Sequence, residues 1–128
     1  MTGPVGSLVD TKNATYLTVG GAGKDSPVMA TPQAVARDRV VVGKLLITNY
    51  SAAAKYVKVY DKATAPNPDT DIPLCTIPVA TISFLPVPFG PEGLTFINGF
   101  ALAIVNALPE TDVSAVAAGD VRVTASYL

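Results

Sequence analysis

The chain has 128 residues, enough for one domain that buries its own core without disulfides or metal. Nine Lys and Arg stand against ten Asp and Glu, a net charge of -1, so the basic excess needed to bind a phosphate backbone is absent and no nucleic-acid partner is expected. Charged residues make up 15% and hydrophobic residues 49%, against roughly 25% charged in ordinary soluble domains, so apolar surface must be hidden in a large core, in contacts with other subunits, or in both.

No stretch of about 18 apolar residues is present, so neither a bilayer-spanning helix nor a membrane partner is expected. Met1 to Gly6 has neither the basic start nor the apolar stretch of a secretory signal, which predicts a chain made and folded in the cytoplasm. Cys75 is the single cysteine and cannot form an internal disulfide. Its setting, Ile72-Pro73-Leu74-Cys75-Thr76-Ile77, reads as a small thiol within a strand.

In chain order, residues 1–13 are Gly-rich and polar and predict an irregular arm. Ala14 to Val19 predicts a first strand, stopped by Gly20-Gly21-Ala22-Gly23. Pro27 and Pro32 make residues 24–38 irregular, with one helical turn available at Gln33 to Ala36 and another at Ala52 to Ala54. Val40 to Asn49 is a clear strand whose Gly43 can mark a bulge. In Lys55 to Asp61, Val57 and Val59 point one way and Tyr56, Lys58 and Tyr60 the other. Residues 63–71 form a loop. Ile72 to Val79 and Thr81 to Val87 are proline-interrupted strands and therefore belong at sheet edges or carry bulges.

After a turn at Phe89 to Gly93, Leu94 to Ile97 and Phe100 to Val105 flank Asn98-Gly99, a strong signal for a type I′ hairpin, or alternatively a bulge in one long strand. Pro109 to Ala118, acidic early and closed by Gly119, can form one short helix. Val121 to Tyr127 alternates Val121, Val123, Ala125 and Tyr127 inward with Arg122, Thr124 and Ser126 outward. Seven or eight strands with short connections predict an all-β fold, an antiparallel two-sheet sandwich of jelly-roll type with an irregular N-terminal arm. Residues 1–39 then hold the arm and first strand, and residues 40–128 the sandwich, in a single domain.

The residues give no catalytic constellation. The chain has no histidine, which removes Ser-His and Cys-His pairs and His-ligated zinc. Gly20-Gly21-Ala22-Gly23-Lys24 resembles part of a phosphate loop, but Thr18 and Asp25 occupy positions that need Gly and Ser or Thr. Asp61, Asp69, Asp71, Glu110 and Asp112 are acidic candidates for a carboxylate pair or a calcium site, and solvated turns are their simpler reading. We therefore expect no enzyme activity, no cofactor and no metal. Five tyrosines (Tyr16, Tyr50, Tyr56, Tyr60, Tyr127) suit core packing, a subunit interface or a carbohydrate platform. Tyr56, Lys58 and Tyr60, on one face of one strand, are the predicted interface residues. Asn13-Ala14-Thr15 and Asn49-Tyr50-Ser51 match glycosylation sequons, which carry no meaning without secretion.

Several segments together resemble small structural proteins of tailed-bacteriophage virions. They are Leu46-Ile47-Thr48-Asn49, the run from Lys55 to Pro66, Thr70 to Pro73, Pro88 to Phe96, Asn98-Gly99-Phe100-Ala101, Thr111-Asp112 and Ala117 to Val121. The resemblance covers roughly two-thirds of the chain and carries no catalytic motif. It implies a jelly-roll-like module of the virion: a capsid decoration (cement) protein, a head fibre or a tail-associated part. With the low charge and blunted edges, the expected role is a homotrimeric decoration protein. It would be made in the host cytoplasm and sit on the capsid surface, bound to the major capsid protein of a phage head. The alternatives are a tail or fibre component contacting the host surface, and a carbohydrate-binding module using Tyr56 and Tyr60.

Overall fold

The β-branched, proline-punctuated runs fold into two facing antiparallel sheets. The computed structural model describes residues 12–19, 26–109, 112 and 114–128. One sheet, sheet A, has the order β1 (Lys12–Leu17), β9 (Val121–Tyr127), β3 (Val40–Asn49) and β6 (Ser83–Pro88), with β7 (Leu94–Phe96) also paired to β3. Sheet B has the order β2 (Val28–Ala30), β8 (Phe100–Val105), β4 (Lys55–Asp61) and β5 (Cys75–Val79).

The pairs β1·β9, β2·β8, β3 with β6 and β7, and β4·β5 form one long antiparallel ribbon. The β3·β9 and β4·β8 ladders join its turns into the two layers. Because β6 and β7 share one position beside β3, the strand order is that of an eight-position jelly roll. The chain crosses between the sheets at every connection except β4–β5 and β6–β7.

Alternation along the strands fills the space between the layers. Val40, Val42, Leu45 and Ile47 of β3 and Val121, Val123 and Ala125 of β9 are buried from one side. Val57 and Val59 of β4 and Phe100, Leu102 and Ile104 of β8 are buried from the other. Each fully buried Val, Leu, Ile or Phe contributes about 1.5–3 kcal/mol relative to exposure. Phe96 and Phe100 meet across the layers with ring centroids 5.0 Å apart. The bulge expected at Gly43 is present as a register shift between Val42 and Lys44 against β9.

The proline-bearing strands take the edges, as expected. Pro86 and Pro88 lie opposite Leu46 and Lys44, and Pro78 lies opposite Tyr56. The strand expected from Ile72 begins only at Cys75. The helical turn at Gln33 to Ala36 is α1 (Pro32–Val35), with Thr31 as its N-cap and Ala36 in the left-handed region after it. Residues 52–54 form no helix. Lys12 and Asn13 already belong to β1, and β2 belongs to sheet B, so the sandwich draws on residues before 40. The arm expected over residues 1–13 otherwise falls on residues outside those described.

Two local expectations are corrected. Asn98-Gly99 is neither a hairpin turn nor a bulge, because β7 lies in sheet A and β8 in sheet B. Neither residue has the positive φ that a type I′ turn requires. The crossing is held by Asp61, whose carboxylate accepts from the backbone N–H groups of Ile97 (3.3 Å), Asn98 (2.7 Å) and Gly99 (3.2 Å). Gly99 is needed for close approach: a Cβ there would lie 2.6 Å from the Lys62 carbonyl oxygen.

The helix expected over Pro109 to Ala118 is also absent from the described part of that segment. Its polar groups are engaged elsewhere. Ser114 donates to the Asp112 carboxylate, Asn106 Nδ2 donates to Ala115 O, and Thr18 Oγ1 donates to Ala117 O at 3.0 Å. Glu110, Thr111 and Val113 lie outside the described residues. Buried Asn49 ties the two sheets together at the same end. Its Nδ2 donates to Ala53 O, Ala80 O and Val79 O, and its Oδ1 accepts from Ser51 N.

These contacts rank the residues of the crossing. Asp61→Ala should lower the unfolding free energy in urea by about 1–3 kcal/mol, since three backbone N–H groups, that of Gly99 part-buried, lose their shared acceptor. Gly99→Ala should also destabilise, and Asn98→Ala should stay within about 0.5 kcal/mol. A greater loss at Asn98 than at Asp61 would restore the hairpin turn.

Candidate interaction surface

Of the three predicted interface residues, two are interior. Lys58 is 0% exposed and Tyr60 2% exposed, whereas Tyr56 is only partly buried. They do share the outer face of sheet B, as the alternation of β4 requires. Over β8 and the far half of β4 that face is closed: Tyr60, Ala101 and Ala103 form a small buried cluster with Val28 packed against it. Lys58 Nζ donates to the Pro109 carbonyl oxygen at 2.5 Å. Tyr56 and Tyr60 therefore form no exposed two-ring platform for a sugar, and any interface role of the trio rests on Tyr56.

The outer face of sheet A is the open one. Register aligns its outward residues in three rows. Phe84, Thr48, Arg122 and Leu17 form the first, Pro86, Leu46, Thr124 and Thr15 the second, and Pro88, Lys44, Ser126 and Asn13 the third. Thr15 and Thr124 hydroxyls bond across the strands at 3.0 Å, and Ser126 Oγ donates to Asn13 Oδ1 at 2.9 Å. The side next to β6 is apolar, the side next to β1 is hydroxyl-rich, and the only charges in the rows are the cations Lys44 and Arg122.

An apolar rim continues this face at the end where β3 finishes. Tyr50, Ile82, Val19 and Leu17 are exposed there together with Phe84. Ile82 is 73% exposed and has φ of 43°, a left-handed conformation that is costly for a β-branched residue. The turn is fixed in this shape by Ile82 N and Thr81 Oγ1 donating to Ser51 O, and by Ser83 Oγ donating to Ala80 O. A second exposed apolar group, Ile72, Leu74 and Ile97, flanks Asp61 and Lys62 at the opposite end. A groove of about 520 Å³ lies between Gly43, Lys44, Pro88, Glu92 and Tyr127, where β6 breaks from β7.

The remaining candidates take structural positions. Asp71 accepts from Lys62 Nζ at 2.6 Å and from Asn67 N at 2.8 Å, and Asp69 N bonds Asn67 Oδ1. Among the described residues, no group of three or more His, Cys, Asp and Glu side chains converges as a metal site would require. Cys75 is half-buried against the core, and burial pushes its thiol pKa up, away from the reactive range. Gly20 to Lys24 and Glu110 lie outside the described residues. Among the described residues no helix is long and apolar enough to cross a membrane.

The outward row residues of β9 were legible from its alternation. The matching rows of β1, β3 and β6 were not, because they depend on register. Ile82 and Phe84 flanking Ser83, apolar residues at a turn and edge, are the sequence signal that marks this rim.

No protein-family model matches the chain, and no curated protein matches it. Among solved structures it is similar to the coat protein of Tobacco streak virus in two determinations. In a C2 crystal form, identity is 10% and TM-score 0.46, over 92% of this chain and 83% of that one. In the coat-protein dimer structure, identity is 12% and TM-score 0.43, over 92% of this chain and 85% of that one.

The loop around Asp71 gives a pH signature. The Asn67 N–H and then the Lys62 ammonium hold the Asp71 carboxyl below its usual range. A depressed folded pKa stabilises above the unfolded value of about 3.9 and is lost as pH falls through the folded value. Asp71→Asn should therefore flatten the loss of thermal midpoint between about pH 5 and about pH 2. An unchanged acid slope would show that the pair contributes nothing to folding.

Proposed function

We propose that this chain is a structural protein of a virus particle, specifically a capsid decoration protein of a tailed phage that binds the assembled head. The observation that carries this reading is the open outer face of sheet A, whose rows hold only Lys44 and Arg122 as charges and which is continued by the apolar rim of Tyr50, Ile82 and Phe84. A contiguous exposed apolar surface on a small domain is characteristic of a partner-binding site. A rigid sandwich presents it without an ordering cost at the moment of binding.

Two separate apolar ends suit two kinds of contact. In this reading Ile72, Leu74 and Ile97 associate copies of the chain into a trimer, and the sheet A face seats the trimer on the major capsid protein where capsid subunits meet. Binding only the assembled shell then stabilises it by mass action. The function requires no catalytic step. Proline at the β5 and β6 edges disfavours strand addition at those two positions.

Imaging of particles carrying a labelled copy of the chain tests the location. Label over the whole head supports decoration, label confined to the tail transfers the reading to a tail or fibre component, and label-free particles reject both. Phe84→Glu combined with Leu46→Glu should leave the β-sheet circular-dichroism spectrum unchanged and weaken attachment to emptied heads by about 10-fold or more. Unaltered attachment would exclude sheet A as the docking face.

A further inference from the structure

At the end of the sandwich that carries Tyr50 and Ile82, three functional groups from separate segments converge. Lys55 opens β4, Asn106 follows β8 on the adjacent strand, and Asp120 precedes β9. Lys55 is 8% exposed. Its Nζ lies 2.5 Å from Asn106 Oδ1 and 3.7 Å from Asp120 Oδ2. The Asn106 side chain is held from both sides, since its Nδ2 also donates to Ala115 O. Its backbone N–H is fixed in turn by Ser114 Oγ at 3.0 Å. The Asp120 backbone is anchored independently, its carbonyl accepting from Tyr50 N at 2.8 Å.

We propose that Lys55 and Asn106 are the partners of an intramolecular isopeptide bond, with Asp120 relaying the protons. An amine, a carboxamide and a carboxylate are the complete set of groups that this acyl transfer needs, and no oxidant or cofactor enters it. Adding one carbonyl bond of about 1.23 Å to the observed contact places Asn106 Cγ within about 3.7 Å of Lys55 Nζ. A near-attack arrangement lies at roughly 3–3.5 Å, so a small adjustment of the flexible lysine stem brings the nucleophile into range.

The Asp120 carboxylate takes a proton from the Lys55 ammonium, and the free amine attacks Asn106 Cγ. The Nζ–Cγ bond forms, and Asp120 returns the proton to Nδ2 as the Cγ–Nδ2 bond breaks. Nζ gives up its second proton to the departing ammonia. An ammonium and a primary amide thus become a secondary amide and an ammonium ion. Holding the groups on two adjacent strands supplies the orientation that a bimolecular reaction of amine with amide lacks. The bond would join residues 51 positions apart and pin the long β8–β9 connection to sheet B.

The intact mass of the purified full chain tests this directly. The folded protein, after incubation at neutral pH, should weigh less than its sequence by one ammonia. Trypsin should then leave residues 45–58 joined to residues 63–122, because acylated Lys55 is no longer a cleavage site. Asp120→Asn, which keeps the backbone contact to Tyr50, should retain the full mass and release separate peptides, as should Lys55→Met and Asn106→Ala. A wild-type chain at full mass, with cleavage after Lys55, overturns the proposal and leaves the contact as a hydrogen bond. Loss of ammonia in Asp120→Asn at the wild-type rate overturns the role of Asp120.

Discussion

The arrangement of this sandwich turns on one extra residue in β3. Side chains alternate along a strand, so an insertion of one residue exchanges the two faces. Val40 and Val42 face the core before the bulge at Gly43, and Leu45, Ile47 and Asn49 face it afterwards. Without the shift, Leu45, Ile47 and Asn49 would stand on the outer face of sheet A, and Lys44, Leu46 and Thr48 would point into the core. The same point divides the neighbouring strand. β7 pairs with residues 40–42 and β6 with residues 44–49, and Phe89 N bonds the Gly43 carbonyl oxygen across the break. The bulge therefore sets the inner packing, the outer rows and the groove beside Lys44 together.

How legible the sequence was depended on the range of the interactions that decide each element. The strands β3, β4 and β9 have the boundaries that alternation and β-branching predict, because a half-buried strand repeats its signal at every second residue. The bulge at Gly43 and the edge positions of the proline-bearing strands follow from the backbone chemistry of Gly and Pro, which is local. Asn98-Gly99 was misread because its decisive partner, Asp61, lies 37 and 38 residues earlier. A dipeptide that favours a tight turn in isolation becomes a sheet-to-sheet crossing once a carboxylate collects its N–H groups. The segment after Pro109 failed for the same reason, with its donors and acceptors engaged by Thr18 and Asn106.

The candidate surface shows the same division. Alternation placed Tyr56, Lys58 and Tyr60 on one face correctly. It could not tell that this face of sheet B is closed while that of sheet A is open. A lysine at 0% exposure departs from the ordinary rule for that residue type, and its amine is satisfied by a carbonyl from the β8–β9 connection. That connection is therefore more than a loop between strands. It reaches across to Lys58, Lys55 and Thr18, which come from both sheets.

Asymmetry between the sheets also limits how the molecule can associate. Proline removes donors from the β5 and β6 edges, and β2 is only three residues long. Strand addition at those edges would gain few hydrogen bonds. The outer face of sheet B is already buried over β8 and at Lys58 and Tyr60. What remains is the proline-free edge of β1, the broad face of sheet A and the apolar groups at the two ends of the sandwich. A strained, exposed isoleucine at the margin of that face fits the same pattern, since the turn that holds it there has its backbone bonded to Ser51 and is not free to relax.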